Sequence, residues 1–166
     1  TTWLAPVISY TAEEAWLAHI GTDNEDSIHL KQFPNIPETW LDDKLNQKGI
    51  NIRKIRRVIN GALELARQDK IIGSSLEAEI KLYVKDNEYI SLIKEIDIDE
   101  IAIVSKSEII EGVDIIGAYK EDNFKGLEIT VSKAKGEKCA RCWKIDDNIS
   151  SVSETSLCER CIKVVE

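Results

Sequence analysis

The sequence contains no methionine, and its four cysteines all lie within the last 28 residues. No hydrophobic run approaches the ~18 residues that a membrane-spanning helix needs, which predicts a soluble protein. The opening stretch TTWLAPVISY has no basic flank, so it lacks the pattern of a secretory signal peptide. We therefore expect a cytoplasmic chain. The absence of an initiator methionine indicates a piece of a longer protein.

The net charge of −8 is concentrated in one part of the chain. Residues 86–114 contain nine acidic side chains against Lys94 and Lys106, which gives −7 in this segment alone. The rest of the sequence is nearly neutral. A polyanion can therefore still bind to a local basic surface, provided that the acidic segment points elsewhere.

The first forty residues combine one short helical pattern with a long connection. Thr11 followed by Glu14 has the form of a capping box, which predicts a short helix that ends at Gly21. Residues 21–37 are rich in Gly, Asp, Asn and Pro. This composition predicts an extended surface connection.

A longer helical pattern runs from about Glu38 to Ile71, with Gly49 as a candidate break. Its apolar residues form a core stripe: Ile52, Ile55, Ile59, Ala62, Leu63 and Ala66. Four arginines fall within an arc of roughly 100° beside that stripe: Arg53, Arg56, Arg57 and Arg67. They form either a solvated face, on which Glu64 pairs with Arg67, or a ridge that binds RNA phosphates.

The second half of the chain changes to a period of two. Residues 78–84 alternate apolar and polar side chains and predict a strand, and residues 87–96 predict a short helix. EIAIVSK (100–106), VDIIGAY (113–119) and GLEITVSK (126–133) predict three further strands. The expected fold class is α+β, with a small mixed unit between a helical segment and the cysteine-rich tail.

The tail contains two Cys-x-x-Cys pairs, CARC and CERC, which fifteen residues separate. This spacing falls within the pattern of zinc sites built from two such pairs, and the predicted ligands are Cys139, Cys142, Cys158 and Cys161. We expect one structural zinc ion, because four sulfur ligands leave no open position for water or substrate. Residues 134–166 are too few for an apolar core, so the metal substitutes for one. Iron is an alternative occupant in an overexpressed sample.

Other uses of the cysteines explain the pattern less well. Disulfides do not persist in a reducing cytosol. A thioredoxin-like redox pair accounts for one Cys-x-x-Cys but not for its twin. Basic residues flank the cysteines, among them Arg141, Lys144 and Arg160, and they either offset the thiolate charge or face a polyanion. Trp143 either packs over the cysteines or stacks on a base.

Four stretches resemble bacterial isoleucyl-tRNA synthetases in the same order along the chain: LAPVISYTAEEAW, SIHLKQFP, ALELARQDKIIGSSLEAEI, and GEKCARCWK with LCERC. The resemblance implies that residues 1–75 are the end of a helical anticodon-binding domain. It further implies a small α/β unit over residues 76–133 and a zinc-binding module over residues 134–166. In such enzymes this region helps to hold the anticodon end of the isoleucine tRNA.

The resemblance implies no catalytic residue in this chain. Members of the family use ATP to join isoleucine to tRNA in a catalytic domain and remove valine in an editing domain. Both domains lie outside this sequence, and we expect them as partners within one monomeric polypeptide. HIGT at 19–22 is similar to a catalytic signature of the class, but here it ends a helix and enters a loop. KIIGSS at 70–75 predicts a turn before a strand.

Three hypotheses about function follow. The leading one is contact with tRNA through Arg53, Arg56, Arg57, Arg67, Arg141, Trp143, Lys144 and Arg160. The second is a DNA-binding module similar to the zinc finger of formamidopyrimidine-DNA glycosylases, although those enzymes use an N-terminal proline and this chain begins Thr1-Thr2. The third is a structural zinc module that folds back on its own protein and touches no RNA.

Overall fold

The computed structural model describes residues 1–21, 26–112, 115–122, 124–152 and 155–165. These ranges contain both helices and mixed sheets, so the predicted α+β class is confirmed. The chain divides into two compact units, Thr1–Asp43 and Lys44–Glu166. The predicted domain boundaries after residues 75 and 133 stay predictions. None of the described helices combines the length and the hydropathy that a membrane span requires.

The first unit is built on helix α1, Ser9–Ile20. The prediction that Thr11 caps this helix is wrong, because the backbone already turns before it: Ile8 N–H bonds to Leu4 O and Ala12 N–H bonds to Ile8 O. The predicted end is confirmed. Gly21 has a φ of +91° and donates its N–H to Leu17 O, a conformation that glycine adopts at little cost.

The core of the first unit is small. It contains Ala5, Ala12 and Ile28, with Trp16 packed against them. The Glu13 carboxylate ties the connection to α1, since it accepts hydrogen bonds of 2.9 Å from Ser27 Oγ and from Ile28 N. Residues 26–37 contain one 3₁₀ turn, Ile28–Leu30, which agrees with the predicted connection; residues 22–25 lie outside the described ranges.

Helix α2, Asp43–Gln68, begins the second unit. The break expected at Gly49 is wrong, because α2 runs without interruption through this residue. The buried face of the helix begins after it, at Asn51, and packing of that face offsets the cost of about 1 kcal/mol that an internal glycine carries. The predicted stripe is buried from Ile55 to Ala66, whereas Ile52 is half-buried. Residues 38–40 form a separate 3₁₀ turn, and Lys70, with a φ of +59°, follows the C-terminal end of α2.

A four-stranded sheet packs against α2. Its strands are β1 (Ala78–Val84), β2 (Lys106–Glu111), β3 (Tyr119–Glu121) and β4 (Phe124–Lys133), in the order β2-β1-β4-β3. β1 is parallel to β2 and antiparallel to β4, and β4 is antiparallel to β3. The strands predicted over residues 78–84 and 126–133 are confirmed.

Two helices connect the parallel pair β1 and β2: α3 (Asn87–Lys94), as predicted, and α4 (Ile98–Ala102). The strand predicted over 100–106 is wrong, because the Asp97 carboxylate accepts a 3.1 Å bond from Glu100 N and starts α4 instead. Ile103 ends this helix in the left-handed conformation. The strand predicted over 113–119 is also wrong where it is described: of residues 115–119, Tyr119 alone is in a strand.

The core of the second unit lies between one face of the sheet and the three helices α2, α3 and α4. Residues with zero exposure include Ile55 and Ile59 from α2, Ile80 and Leu82 from β1, and Ile93 from α3. Alternate residues of β1 point into this core, as the sequence pattern predicts. The tail continues the chain after β4 of this sheet.

The tail folds into two small hairpins and a helix. β5 (Glu137–Lys138) pairs with β6 (Ile145–Asp146), and β7 (Ile149–Val152) pairs with β8 (Thr155–Cys158), which leads into α5 (Glu159–Val165). Gly136 has a φ of +113°, and a Cβ there would lie 2.3 Å from Asp146 O, so this position requires glycine.

Candidate metal centre and nucleic-acid interface

The fold brings the four predicted cysteines together. Cys139 and Cys142 lie in the turn between β5 and β6, Cys158 ends β8, and Cys161 lies in α5. Their four sulfur atoms lie within 4.8 Å of one another. Three of the thiols are buried and Cys142 is half-buried. Apart from the cysteines, Leu157 is the buried hydrophobic residue of this cluster, with Ile149 and Ile162 packed around it.

Hydrogen bonds between the two Cys-x-x-Cys turns hold them in register. Ala140 N donates to Ser156 O at 2.9 Å, and Cys158 N donates to Cys139 Sγ at 3.4 Å. Within the first turn, Trp143 N donates to Cys139 O at 3.0 Å. The sulfur positions are therefore fixed by the backbone of both turns.

The donor set fits a tetrahedral metal ion. Zinc–sulfur bonds of about 2.3 Å place the sulfurs of a regular tetrahedron about 3.8 Å apart. The distance between Cys142 Sγ and Cys158 Sγ is 3.7 Å. Four thiolates are the ligands that structural zinc sites use, and they exclude a position for water.

The thiol pKa values move in opposite directions. Burial, the largest influence on Cys139, raises its pKa, but backbone N–H groups of Cys142, Cys158 and Arg141 outweigh it and lower the pKa to about 6. Burial raises the pKa of Cys158 to about 12, and the side chains of neighbouring cysteines add to this. The surroundings thus favour the ionised form of Cys139 and oppose the ionised form of Cys158. A site of four thiolates therefore needs a cation to balance their negative charges.

Basic side chains around the cysteines have partners within the chain. Arg141 donates to Cys161 Sγ at 3.6 Å. Lys144 lies 3.5 Å from Asp99 Oδ2. Arg160 lies 3.2 Å from Glu100 Oε1. Although burial opposes the charge of Arg160, Cys142, Cys161 and Glu100 raise its pKa.

Trp143 does not pack over the sulfur cluster. The residue is 59% exposed, and the centroid of its ring lies 5.1 Å from the Lys138 Nζ atom. Its φ of +67° is unusual for a bulky residue, because the Cβ atom meets its own backbone in this conformation. The turn at Cys139 thus presents an aromatic surface to solvent.

The second set of predicted contacts lies on α2. From Lys44 to Leu63 the helix contains six basic residues and no acidic one. Arg57 pairs with Glu121 at 3.0 Å. Arg67 pairs with Glu64, as one of the two readings predicted, and lies 3.4 Å from Ser75 Oγ.

Three further basic residues lie within one turn of α2: Arg53, Lys54 and Arg56. All three are exposed, and none forms an ion pair with a described residue. The helix thus displays three uncompensated positive charges within one turn. These three residues, Arg53, Lys54 and Arg56, are called the basic ridge, and they have the charge and the exposure that a phosphate contact requires.

HIGT, which is similar to a catalytic signature, and KIIGSS lie at the end of a helix and in a turn where they are described. His19 is exposed near the end of α1, two residues before the Gly21 cap, and Thr22 lies outside the described residues. Gly73 N donates to Glu77 Oε2 at 3.0 Å in the turn that precedes β1. These are the positions that the sequence predicted for them.

Sequence reasoning missed the acidic side chains that meet the tail, Asp99 and Glu100. It assigned Glu100 to a strand and gave Asp99 no role. The signal that identifies α4 is Asp97 followed by Glu100, which has the spacing of a helix cap. Ser105, which contacts the tail as well, carries no signal in the sequence.

The comparisons with known proteins agree with this architecture. Residues 1–82 match the family described as the anticodon-binding domain of tRNA ligase, and residues 136–164 match the zinc finger found in FPG and IleRS. The class is therefore that of the tRNA ligases. Because the match over 1–82 has no place in a formamidopyrimidine-DNA glycosylase, the DNA-binding alternative is not favoured.

Individual relatives narrow the class to isoleucine–tRNA ligases. The chain is 41% identical over 154 residues to that of Brucella abortus, 41% over 152 residues to that of Bradyrhizobium diazoefficiens, and 37% over 161 residues to that of Ruegeria pomeroyi. These alignments cover 93%, 92% and 97% of this chain, but 15–16% of each relative. The predicted resemblance is confirmed, and the chain spans about one sixth of the length of these ligases.

Proposed function

We propose that this chain contacts tRNA as part of an isoleucine–tRNA ligase, which joins isoleucine to its tRNA with ATP. The match over residues 1–82 supports contact near the anticodon. ATP binding and catalysis belong to other domains of the same polypeptide. We place this polypeptide in the cytoplasm as a monomer, with the domain boundaries after residues 75 and 133 that the sequence predicted.

The basic ridge on α2 is the observation that carries the proposal. Phosphate contacts provide most of the affinity between a protein and RNA, and they require positive side chains that are free to meet a phosphate. The three residues of the basic ridge meet this requirement. Arg57 and Arg67 extend the ridge, but they are less available to phosphate because each forms an ion pair with an acidic side chain. The exposed ring of Trp143 is a second candidate contact, through stacking on an unpaired base.

The four cysteines bind one structural zinc ion in this proposal. The cluster has one buried hydrophobic residue besides the cysteines, so apolar packing contributes little to its stability. A zinc ion bound by Cys139, Cys142, Cys158 and Cys161 supplies on the order of 10 kcal/mol of folding free energy to such a segment. Its role is to fix the shape of the tail.

The surface of the first unit supports its place in a larger protein. Many of its large apolar side chains are exposed: Trp3, Leu4, Val7, Tyr10, Leu30, Phe33, Ile36, Trp40 and Leu41. Exposed apolar surface of this extent marks an interface. We assign this surface to contact with other parts of the ligase.

Salt-dependent tRNA binding tests the proposal. The affinity of the chain for an isoleucine tRNA transcript is measured by fluorescence anisotropy between 50 and 200 mM KCl. Replacing Arg53 and Arg56 by Gln removes two phosphate contacts, so the slope of log K against log salt falls by about 1.4–1.8. The matched control replaces Lys81 and Lys94 by Gln; it removes the same charge from two exposed ion pairs on other elements.

The control is expected to leave the slope within about 0.3 of the wild-type value. If the control lowers the slope as much as the ridge variant does, the interaction follows net charge and the ridge is not the contact. Unmeasurable binding at 50 mM KCl by the wild-type chain contradicts the proposed function itself.

A further inference from the structure

Side-chain contacts join the four-cysteine module to one short segment of the second unit, residues 99–105. Asp99 and Glu100, in the first turn of α4, pair with Lys144 and Arg160 of the module. The pair of Asp99 with Lys144 is mostly buried, with side-chain exposures of 28% and 23%. Lys144 follows the first Cys-x-x-Cys pair and Arg160 lies within the second, so both halves of the module form ion pairs with the same helix, α4.

Ser105 adds a polar connection beside these ion pairs. It is 9% exposed, and its hydroxyl donates to Leu76 O at 2.5 Å while it accepts from Ile145 N at 2.7 Å. Ile145 begins β6 of the module, and Leu76 lies in the 3₁₀ turn Ser75–Glu77 that leads into β1. One buried hydroxyl therefore joins the backbone at the start of the sheet to the backbone of the module.

We propose that residues 99–105 form a seat that sets the orientation of the four-cysteine module on the sheet, and that Lys144 and Arg160 are positioning residues. This proposal gives a role to the acidic segment, which otherwise repels RNA. It deepens the proposed function, because the orientation of the module decides where Trp143 is presented to tRNA.

The seat and a direct RNA contact by Lys144 and Arg160 predict opposite effects of the same change. Replacing Asp99 by Asn and Glu100 by Gln removes two negative charges. If Lys144 and Arg160 touch phosphate, this change releases them and tRNA affinity rises. If they position the module, the change loosens it and tRNA affinity falls.

Hydrogen exchange of the Ile145 amide, followed by NMR at constant zinc, reports the seat without RNA. The variant D99N/E100Q is expected to exchange this amide about fivefold faster, because two ion pairs are lost. Ser105→Ala is expected to exceed that effect, since it removes the acceptor itself. The matched control E95Q/E111Q removes two acidic partners of exposed ion pairs from the same acidic region, and is expected to leave the Ile145 amide within twofold of wild type.

Reversal of one charge completes the test. In the variant E100R the attraction to Arg160 becomes a repulsion, so the exchange rate of the Ile145 amide is expected to rise above that of wild type. In tRNA binding, D99N/E100Q is expected to weaken affinity about threefold relative to the E95Q/E111Q control.

Unchanged exchange at Ile145 in both D99N/E100Q and S105A overturns the seat. A rise in tRNA affinity for D99N/E100Q above the E95Q/E111Q control overturns the positioning role and assigns Lys144 and Arg160 to RNA. Loss of all tRNA binding by the wild-type chain refutes the proposed function, and the exchange measurements still decide whether the seat exists.

Discussion

Substitution by alanine is expected to have opposite effects on stability at two glycines of helix α2, Gly49 and Gly61. Replacing an internal helical glycine by alanine normally stabilises a protein by about 1 kcal/mol, because alanine loses less conformational entropy. At Gly49 an added Cβ meets Arg53 Nη1 at 3.5 Å, which is an ordinary contact. At Gly61 the same atom lies 2.3 Å from Tyr119 Oη and 2.7 Å from Cζ of that ring.

The contact at Gly61 requires the Tyr119 ring to move. Tyr119 lies in β3 and packs against the core, so its displacement is a case of overpacking, which costs about 1–3 kcal/mol. After the gain in helix propensity is subtracted, we expect Gly61→Ala to destabilise the chain by about 1 kcal/mol. We expect Gly49→Ala to stabilise it by about 1 kcal/mol.

Thermal unfolding followed by circular dichroism at constant zinc measures both variants. For a chain of this size 1 kcal/mol corresponds to a change in Tm of about 2–4 °C, so the two variants are expected to differ by about 4–8 °C. The variant Tyr119→Val removes the ring, and in this background Gly61→Ala is expected to become stabilising. An equal rise in Tm for Gly49→Ala and Gly61→Ala would show that the close approach of α2 and β3 does not exist.

Two further predictions concern the tail and helix α4. Removal of zinc with a chelator, or the variant Cys158→Ala, is expected to unfold β5 to α5 and to leave the four-stranded sheet folded. The dispersion of the NMR amide signals measures this. Because zinc binding requires deprotonated thiols, the release of zinc to a chromogenic chelator is expected to increase as the pH falls. Persistence of the tail signals without metal would contradict this. Asp97→Ala removes the cap of α4 and is expected to lower the free energy of unfolding in urea by about 1 kcal/mol, whereas Asp97→Asn is expected to retain most of it.

The metal centre was predictable because its information is local. Each Cys-x-x-Cys turn brings two sulfurs together by itself, and the number of residues between the turns restricts how the pairs meet. The strand over residues 78–84 was predictable for the same kind of reason, since alternation is a property of adjacent residues. The place of Arg53, Arg56, Arg57 and Arg67 on one flank of α2 followed from helical geometry, and their contact with tRNA stays a prediction.

The errors arose where two signals competed or where the contact was distant. The apolar run from Ile101 to Val104 suits a strand, but the carboxylate of Asp97 starts a helix before it. The seat joins residues that are 40 to 60 positions apart, Ser105 with Ile145 and Glu100 with Arg160. Pairings at such separations depend on the completed fold. The sequence around the cysteines does not reveal which acidic residues pair with its basic side chains.

The left-handed backbone conformation of Trp143 lowers the stability of the turn at a residue that is a candidate tRNA contact. Glycine occupies this conformation without steric strain, while a bulky side chain loses on the order of 1 kcal/mol there. A selection for thermal stability is therefore expected to favour Trp143→Gly. A selection for tRNA affinity is expected to reject this variant, because it removes the ring that we propose as a stacking contact. The indole of Trp143 thus lowers the stability of the turn at a position where the side chain is exposed to solvent.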